Sequence, residues 1–567
     1  MKMNLNLKAK KENTYDAIVI GSGISGGWAA KELSEKGLKT IVLERGYNIE
    51  HVKDYHTAQK APWEFEHRLR ESKKVQEEYY VQSRTGQFNE ATMHLWANDK
   101  DSPYTEVKKF DWIRGYHVGG RSIMWGRQSY RWGDLDFEAN AKDGIEIDWP
   151  IRYKDLEKWY DYVEGFAGIS GQNEGLAHLP DGNFLPPMEM NCVEKHVQGR
   201  IAEHFDDRIM TIGRVANLTQ NHKGRNKCNY RSLCSRGCPY GAYFSSLSST
   251  LPAAAATGNM TLRPNSIVNS IIYDKEQKKA TGVRIIDAET NETIEFYAKV
   301  IFCNASTLGS TFILMNSTSD EFPDGLGNTS GTLGHYLMDH HFKVGARGAF
   351  DGFEDQYYYG RRANGIYIPR FRNLSEKRSD YIRGFGYQGG ASRGNWGRGV
   401  AEEGFGADFK EQMTNPGSWG MGLTGFGECL PYYDNKVTLN HNVTDKWGQP
   451  TLNIDCEFKE NEMAMRKDMK ESAAEMLEAA GAKNVKMYDS DPTPGLGIHE
   501  MGTCRMGKDP KTSMLNKHNQ LHEVSNVYVT DGAAMTSAAC QNPSLTYMAL
   551  TARACDHAVN ELKKRNL

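Results

Sequence analysis

Three features of the sequence predict an α/β protein: a Rossmann-like nucleotide-binding domain joined to a second, α+β domain with an antiparallel sheet. Near the start, an apolar run enters a glycine turn, followed by a helical stretch, a second apolar run and an acid. Between 330 and 492 the pattern changes to short alternating runs with one long helical stretch. A chain of 567 residues, 39% hydrophobic and 25% charged, is long and apolar enough for both domains.

Residues 15–20 read as a buried strand that runs directly into Gly21-Ser-Gly23-Ile-Ser-Gly26-Gly27, and 28–36 read as a helix. Gly21 permits the tight turn and Gly23 lets backbone approach a pyrophosphate. Gly26 lets helix pack on strand, and the helix N-terminus faces the phosphate charge. A second strand, 39–43, ends in Glu44, placed for ribose hydroxyls. The acid argues against a 2′-phosphate, hence against NADP, and leaves FAD or NAD. Residues 51–110 are charged and aromatic without a clear period and read as a helical excursion with a lid-like loop.

The cysteine loop at 228–239 carries Cys228, Cys234 and Cys238 with the spacing C-x5-C-x3-C, followed by Pro239. Three thiolates suit an iron–sulfur cluster with one vacant corner. Zinc wants a fourth ligand, for which His222 is the candidate, and a disulfide leaves one thiol over. Reduced structural thiols are the plain alternative, and are the reading for the seven scattered cysteines elsewhere.

In the second domain, strands are expected at 342–350, 365–371, 419–430 and 436–440, with a helix at 459–480. The glycine-rich tract 384–406 reads either as a mobile loop over the substrate mouth or as an exposed connection. The formal charge of −3 gives no electrostatic footprint for nucleic acid or an anionic membrane. Basic runs such as 8–11 read as solvated ends, and no apolar run reaches the 18 residues of a membrane span. The N-terminus lacks an apolar signal region, so export is expected only with a signal-bearing partner.

Further motifs resemble the glucose–methanol–choline (GMC) oxidoreductases in order along the chain. They are the segment from Arg114 through Gly119, Gly120, Ser122, Trp125 and Gly126 to Arg127, Asp148-Trp149-Pro150, and the 300–306 strand with Ala305 and Ser306. They continue with the 337–340 turn, His499 through Gly502-Thr503-Cys504 to Gly507, Asp531-Gly532, and Asn542-Pro543-Ser544. The resemblance spans nearly the whole chain and implies FAD, held by these segments together with Arg45 and Val268. It also implies a discontinuous FAD-binding domain, 1–329 and 493–567, whose last strand and helix lie within 527–562, and a substrate domain at 330–492. Some relatives attach flavin through a His two residues after a Ser like Ser122. Here that position is Met124, so FAD is expected to be non-covalent, with His117 the one nearby imidazole.

By the same resemblance, His499 is the base that takes the hydroxyl proton and Asn542 its partner across the oxygen. A satisfied core histidine is the plain alternative for the first and a turn former for the second. The thiol loop looks like the [3Fe–4S] loop of bacterial sugar dehydrogenases, and Glu428-Cys-Leu-Pro431 looks like the branch with glucoside 3-dehydrogenases, gluconate 2-dehydrogenases and pyranose oxidases. The implied activity is oxidation of a ring secondary hydroxyl, C3 of a glucoside first, with gluconate or a polyol acid as runner-up. Implied partners are a small signal-bearing subunit and a cytochrome c, placing the protein in the periplasm by co-export, or in the cytoplasm without them. A FAD-containing lyase and a non-catalytic electron-transfer subunit are the competing classes.

Overall fold

The computed structural model describes residues 13–567 apart from 359, 361, 396, 397 and 400–402. The basic run at 8–11 and part of the 384–406 tract lie outside the described residues.

The first sheet is built on Thr14–Ile20, whose fully buried Ile18 and Val19 reflect a strand covered on both faces. Thr40–Leu43 pairs parallel on one side, with Met260–Arg263 beyond it, and Thr293–Cys303 pairs parallel on the other. That last strand is long enough to be shared. Its first half receives an antiparallel hairpin, Ser266–Asp274 with Lys279–Asp287, and its last three residues pair with Val527–Val529, more than two hundred residues later.

The helix Ile24–Glu35 follows the first strand directly, four residues earlier than the sequence suggested, because Gly26 and Gly27 are packing residues inside it. Its Trp28 is fully buried, edge-on to Tyr162 and Phe166 at 5.9 and 5.2 Å. The helix ends where Gly37 turns left-handed (φ +89°), with Gly37 N–H donating to Ser34 O and Leu38 N–H to Leu33 O, a Schellman closure. The C-terminal helix Ser544–Lys563 packs against it and against Tyr153–Ala167.

The second sheet is antiparallel throughout, in the order Lys483–Asp489, Val344–Phe350, Trp419–Gly427, Phe385–Arg393, Ile366–Ile368, Thr211–Ile212. One face is covered by the helix Glu460–Ala479, and Cys192–His204 packs beside it. Trp419, Met421 and Leu423 alternate inward along one strand onto Met465, Met469 and Leu477. The helix and strand at 192–212 therefore join this sheet from well before residue 330.

Two expectations are corrected here. The glycine-rich tract is neither loop nor connection over 385–393 but a central strand, because its glycines are where neighbouring backbones come closest. A Cβ at Gly389 would lie 2.1 Å from Gly422 O. The strand at 436–440 is not in the second sheet. Lys436–Thr444 forms a hairpin with Pro450–Asp455, and Thr105–Glu106 from the 51–110 excursion adds in parallel. Among the described residues, no helix is long and apolar enough to cross a membrane.

Candidate active site

A cavity of about 500 Å³ begins at the first glycine turn and ends against the second sheet. Gly21 takes φ +89°, and a Cβ there would sit 2.4 Å from Asn304 O. At Gly26 a Cβ would meet Gly21 O at 1.9 Å. At Gly23 it would meet nothing within 4 Å and would project into open space beside an uncapped helix N-terminus. That is a cradle for an anionic group. Glu44 lies buried at the same end, its Oε2 accepting from Ser22 N–H at 3.0 Å and its Oε1 from Gly46 N–H at 2.9 Å. Burial holds its carboxyl above the usual range.

Arg45 and Val268 line the cavity at this end, Arg45 paired with Asp445 at 3.1 Å. Ala305, Ser306, Gly120, Ser122, Trp125 and Gly126 line its middle, with Asp531, Gly532 and Ser544. Asp531 caps the turn Gly532–Ala534, accepting from Ala533 N–H at 3.0 Å and Ser310 O–H at 2.6 Å, and burial raises its pKa to about 6. Three expected contacts, Gly26, Gly119 and Pro543, lie behind the wall and shape it instead. Gly26 packs helix on strand, Gly119 donates its N–H to Ser22 Oγ at 2.9 Å, and Pro543 leads into the last helix. Met124 lines the cavity. His117 is buried behind it, its Nδ1–H on Val118 O at 3.0 Å.

At the far end His499 and Asn542 meet, Asn542 Nδ2 3.3 Å from His499 Nε2. Gln388, on the glycine-rich strand, donates to Asn542 Oδ1 at 2.6 Å. His340 Nδ1 lies 2.9 Å from His499 Nδ1, and His340 Nε2 bonds the Ala539 carbonyl. Asp339 binds the loop of the base through three N–H groups, those of Gly495 (2.6 Å), Gly497 (3.1 Å) and His499 (2.9 Å). This clamp holds Ile498 at φ +59°, a strained conformation for a β-branched residue, immediately before His499. Arg121 and Glu500 form a bidentate pair beside it, and Phe342 and Phe426 supply apolar wall. Burial above all, with the Arg121 guanidinium adding to it, keeps the His499 pKa well below that of free imidazole, so the ring is neutral at physiological pH.

Gln388, Asp339 and His340 are site residues that sequence reasoning did not assign roles. The first was hidden in the glycine tract. The other two stood in the 337–340 motif with nothing in the sequence to say what they touch.

The thiol loop is where the expected cluster finds no support. All three cysteines are free and half-buried, and among the described residues no three His, Cys, Asp or Glu side chains are grouped to hold a metal. Cys228 Sγ accepts from Tyr230 N–H at 3.4 Å in its own turn, while Arg231 and Arg236 tie the loop to the carbonyls of Ala58 and Lys60. His222 points its Nε2 at Gly165 O, 3.0 Å away. The loop as folded gives no support to the cluster or to a zinc site completed by His222.

The GMC oxidoreductase profiles match residues 15–342 and 431–551. The chain belongs to the GMC oxidoreductase family. This GMC oxidoreductase is 28% identical to 2-methyl-1,2-propanediol dehydrogenase of Mycolicibacterium austroafricanum, over 96% of this chain and 94% of that one. It is 24% identical to the fructose dehydrogenase large subunit of Gluconobacter japonicus, over 97% and 98%. Its fold matches that of Aspergillus oryzae RIB40 formate oxidase with a TM-score of 0.62 at 12% identity, covering 98% of this chain and all of that one. The protein is an oxidoreductase of CH–OH groups in a family that binds FAD, which decides between the two nucleotides left open by the glycine turn.

Proposed function

We propose that this GMC oxidoreductase is a sugar dehydrogenase that oxidises a ring secondary hydroxyl, C3 of a glycoside first among the candidates. The observation that carries the reading is the His499–Asn542 pair at the inner end of the FAD-sized cavity, with His499 Nε2 facing an amide donor. FAD held along Gly21, Gly23, Glu44, Gly120, Ser122, Ala305 and Asp531 would supply a two-electron acceptor for hydride. His499 Nε2 takes the hydroxyl proton, and Asn542 holds the oxygen without competing for that proton. Phe342 and Phe426 give this end of the cavity an apolar wall. Met124 in place of an imidazole supports non-covalent FAD. The names of the two long relatives support a dehydrogenase and a sugar or diol substrate, and the words "large subunit" support a docked partner. No step is routed through the thiols.

A second reading, an aldonic or polyol acid as substrate, is favoured by Arg127. It is a buried, left-handed residue (φ +65°) on the cavity wall whose Nη1 donates to Trp125 O. Its Nε has no partner, and no carboxylate lies within ion-pair distance among the described residues. A substrate carboxylate would complete it.

The test is anaerobic flavin bleaching with a panel of glycosides, aldoses and aldonic acids. Bleaching by glycosides supports the first reading and by aldonic acids alone the second. Bleaching only by simple aliphatic alcohols defeats both.

A further inference from the structure

We propose that His340 is a positioning residue that fixes His499 in the tautomer with an unprotonated Nε2 and stabilises the charge His499 gains on taking the substrate proton. The inference rests on His499 being the base.

The argument starts from an atom that cannot donate. The Ala539 carbonyl only accepts, so its bond to His340 Nε2 requires the proton on that nitrogen. His340 is fully buried and touches no carboxylate, so it has no reason to carry a second proton. Burial drives its pKa down to about 4. A neutral ring protonated at Nε2 has its lone pair at Nδ1, and that nitrogen faces His499 Nδ1 at 2.9 Å. The proton between them must then belong to His499 Nδ1. The lone pair of His499 is left on Nε2, where Asn542 Nδ2 donates to it at 3.3 Å. Gln388 holds the Asn542 amide in that orientation from the other side, at 2.6 Å.

All four hydrogen bonds thus point one way, from Gln388 to Ala539. When an alcohol takes the donor's place at His499 Nε2, the O–H bond breaks and an N–H bond forms there, while His499 keeps its Nδ1–H, which goes on donating to His340 Nδ1. The imidazolium so formed donates a stronger, charge-assisted bond to the same acceptor. The charged groups facing His499 do not supply this. Arg121 opposes a second positive charge and is itself neutralised by Glu500, and Asp339 spends its oxygens on backbone N–H groups. Without an acceptor at Nδ1, the proton of His499 is free to sit on Nε2, which then donates to the alcohol and takes nothing from it.

The test compares His340→Leu, which removes the acceptor, with His340→Asn, whose amide oxygen falls near the Nδ1 position. Both are assayed as FAD-loaded protein by anaerobic flavin reduction across pH. The leucine variant should retain FAD, reduce it roughly 10–100-fold more slowly, and show the acid limb of kcat/KM at lower pH. The asparagine variant should recover most of the rate. Should leucine cost FAD retention, His340→Ala serves as the same probe. A leucine or alanine variant with parental rate and parental acid limb would overturn the proposal, as would asparagine no better than leucine. His499→Ala separates the two readings. If it reduces flavin at the parental rate, the base assignment itself fails. If it is slow while the His340 variants are unaffected, only the positioning role falls.

Discussion

Gly23 and Gly26 stand three residues apart and answer to different constraints. A methyl at Gly23 enters open space where a pyrophosphate would lie, so Gly23→Ala should leave the melting temperature of FAD-free protein unchanged and weaken FAD retention, read by flavin absorbance after gel filtration. A methyl at Gly26 meets a carbonyl at 1.9 Å, so Gly26→Ala should lower stability of the FAD-free protein by about 1–3 kcal/mol or more. Equal effects at the two positions would contradict the assignment. Asp531 makes a prediction about pH. Its carboxyl titrates at about 6 when folded and near 3.8 when unfolded, so its favourable contribution is present below about 4 and lost as pH rises through 6. In FAD-free protein, Asp531→Asn should therefore gain on the parent between pH 4 and 8, by up to roughly 3 kcal/mol. Denaturant titrations at both pH values measure the difference.

The strand Phe385–Arg393 shows how one element escapes and then explains the sequence pattern. Strand formers are β-branched and aromatic, and a run of glycines reads as a break in them. Yet Phe385 and Tyr387 point into the helix-covered core, Tyr387 donating to Met469 O at 2.6 Å, while Gln388 between the glycines faces the cavity. The fingerprint turn was legible because most of its chemistry is local: Gly21 takes a left-handed turn, Gly26 answers to the Gly21 carbonyl five residues back, and Gly23 faces the open space of the ligand. His499 and Asn542 were legible through motif resemblance. Gln388, Asp339 and His340 were not, because their partners lie 154, 160 and 159 residues away. The thiol spacing was legible as a loop but does not by itself establish a ligand set, since that depends on how the anchored backbone presents the three sulfurs. At this scale Gln388→Ala should keep FAD and slow flavin reduction by up to roughly tenfold, the value of one hydrogen bond holding the Asn542 amide. An unchanged rate would mean that Asn542 needs no such support.

Across the whole molecule, both ends of the chain build the first sheet, and the second sheet draws on residues from 211 to 489. Neither can be cut away by shortening the chain at its end. Ending it at 526 should remove Val527–Val529, the last helix and Asn542 together, and give insoluble protein without yellow colour. A soluble, flavin-binding product would show that the sheet closes without its last strand. The same pairing bears on how the protein is made. The partner edge at 301–303 leaves the ribosome about 220 residues before the strand that covers it. At roughly 5–20 residues per second, it waits on the order of ten to forty-five seconds as an open template for another chain. Crowded polysomes would then bring unfinished copies edge to edge, and holdase chaperones binding that interval should set the yield of protein in the cell.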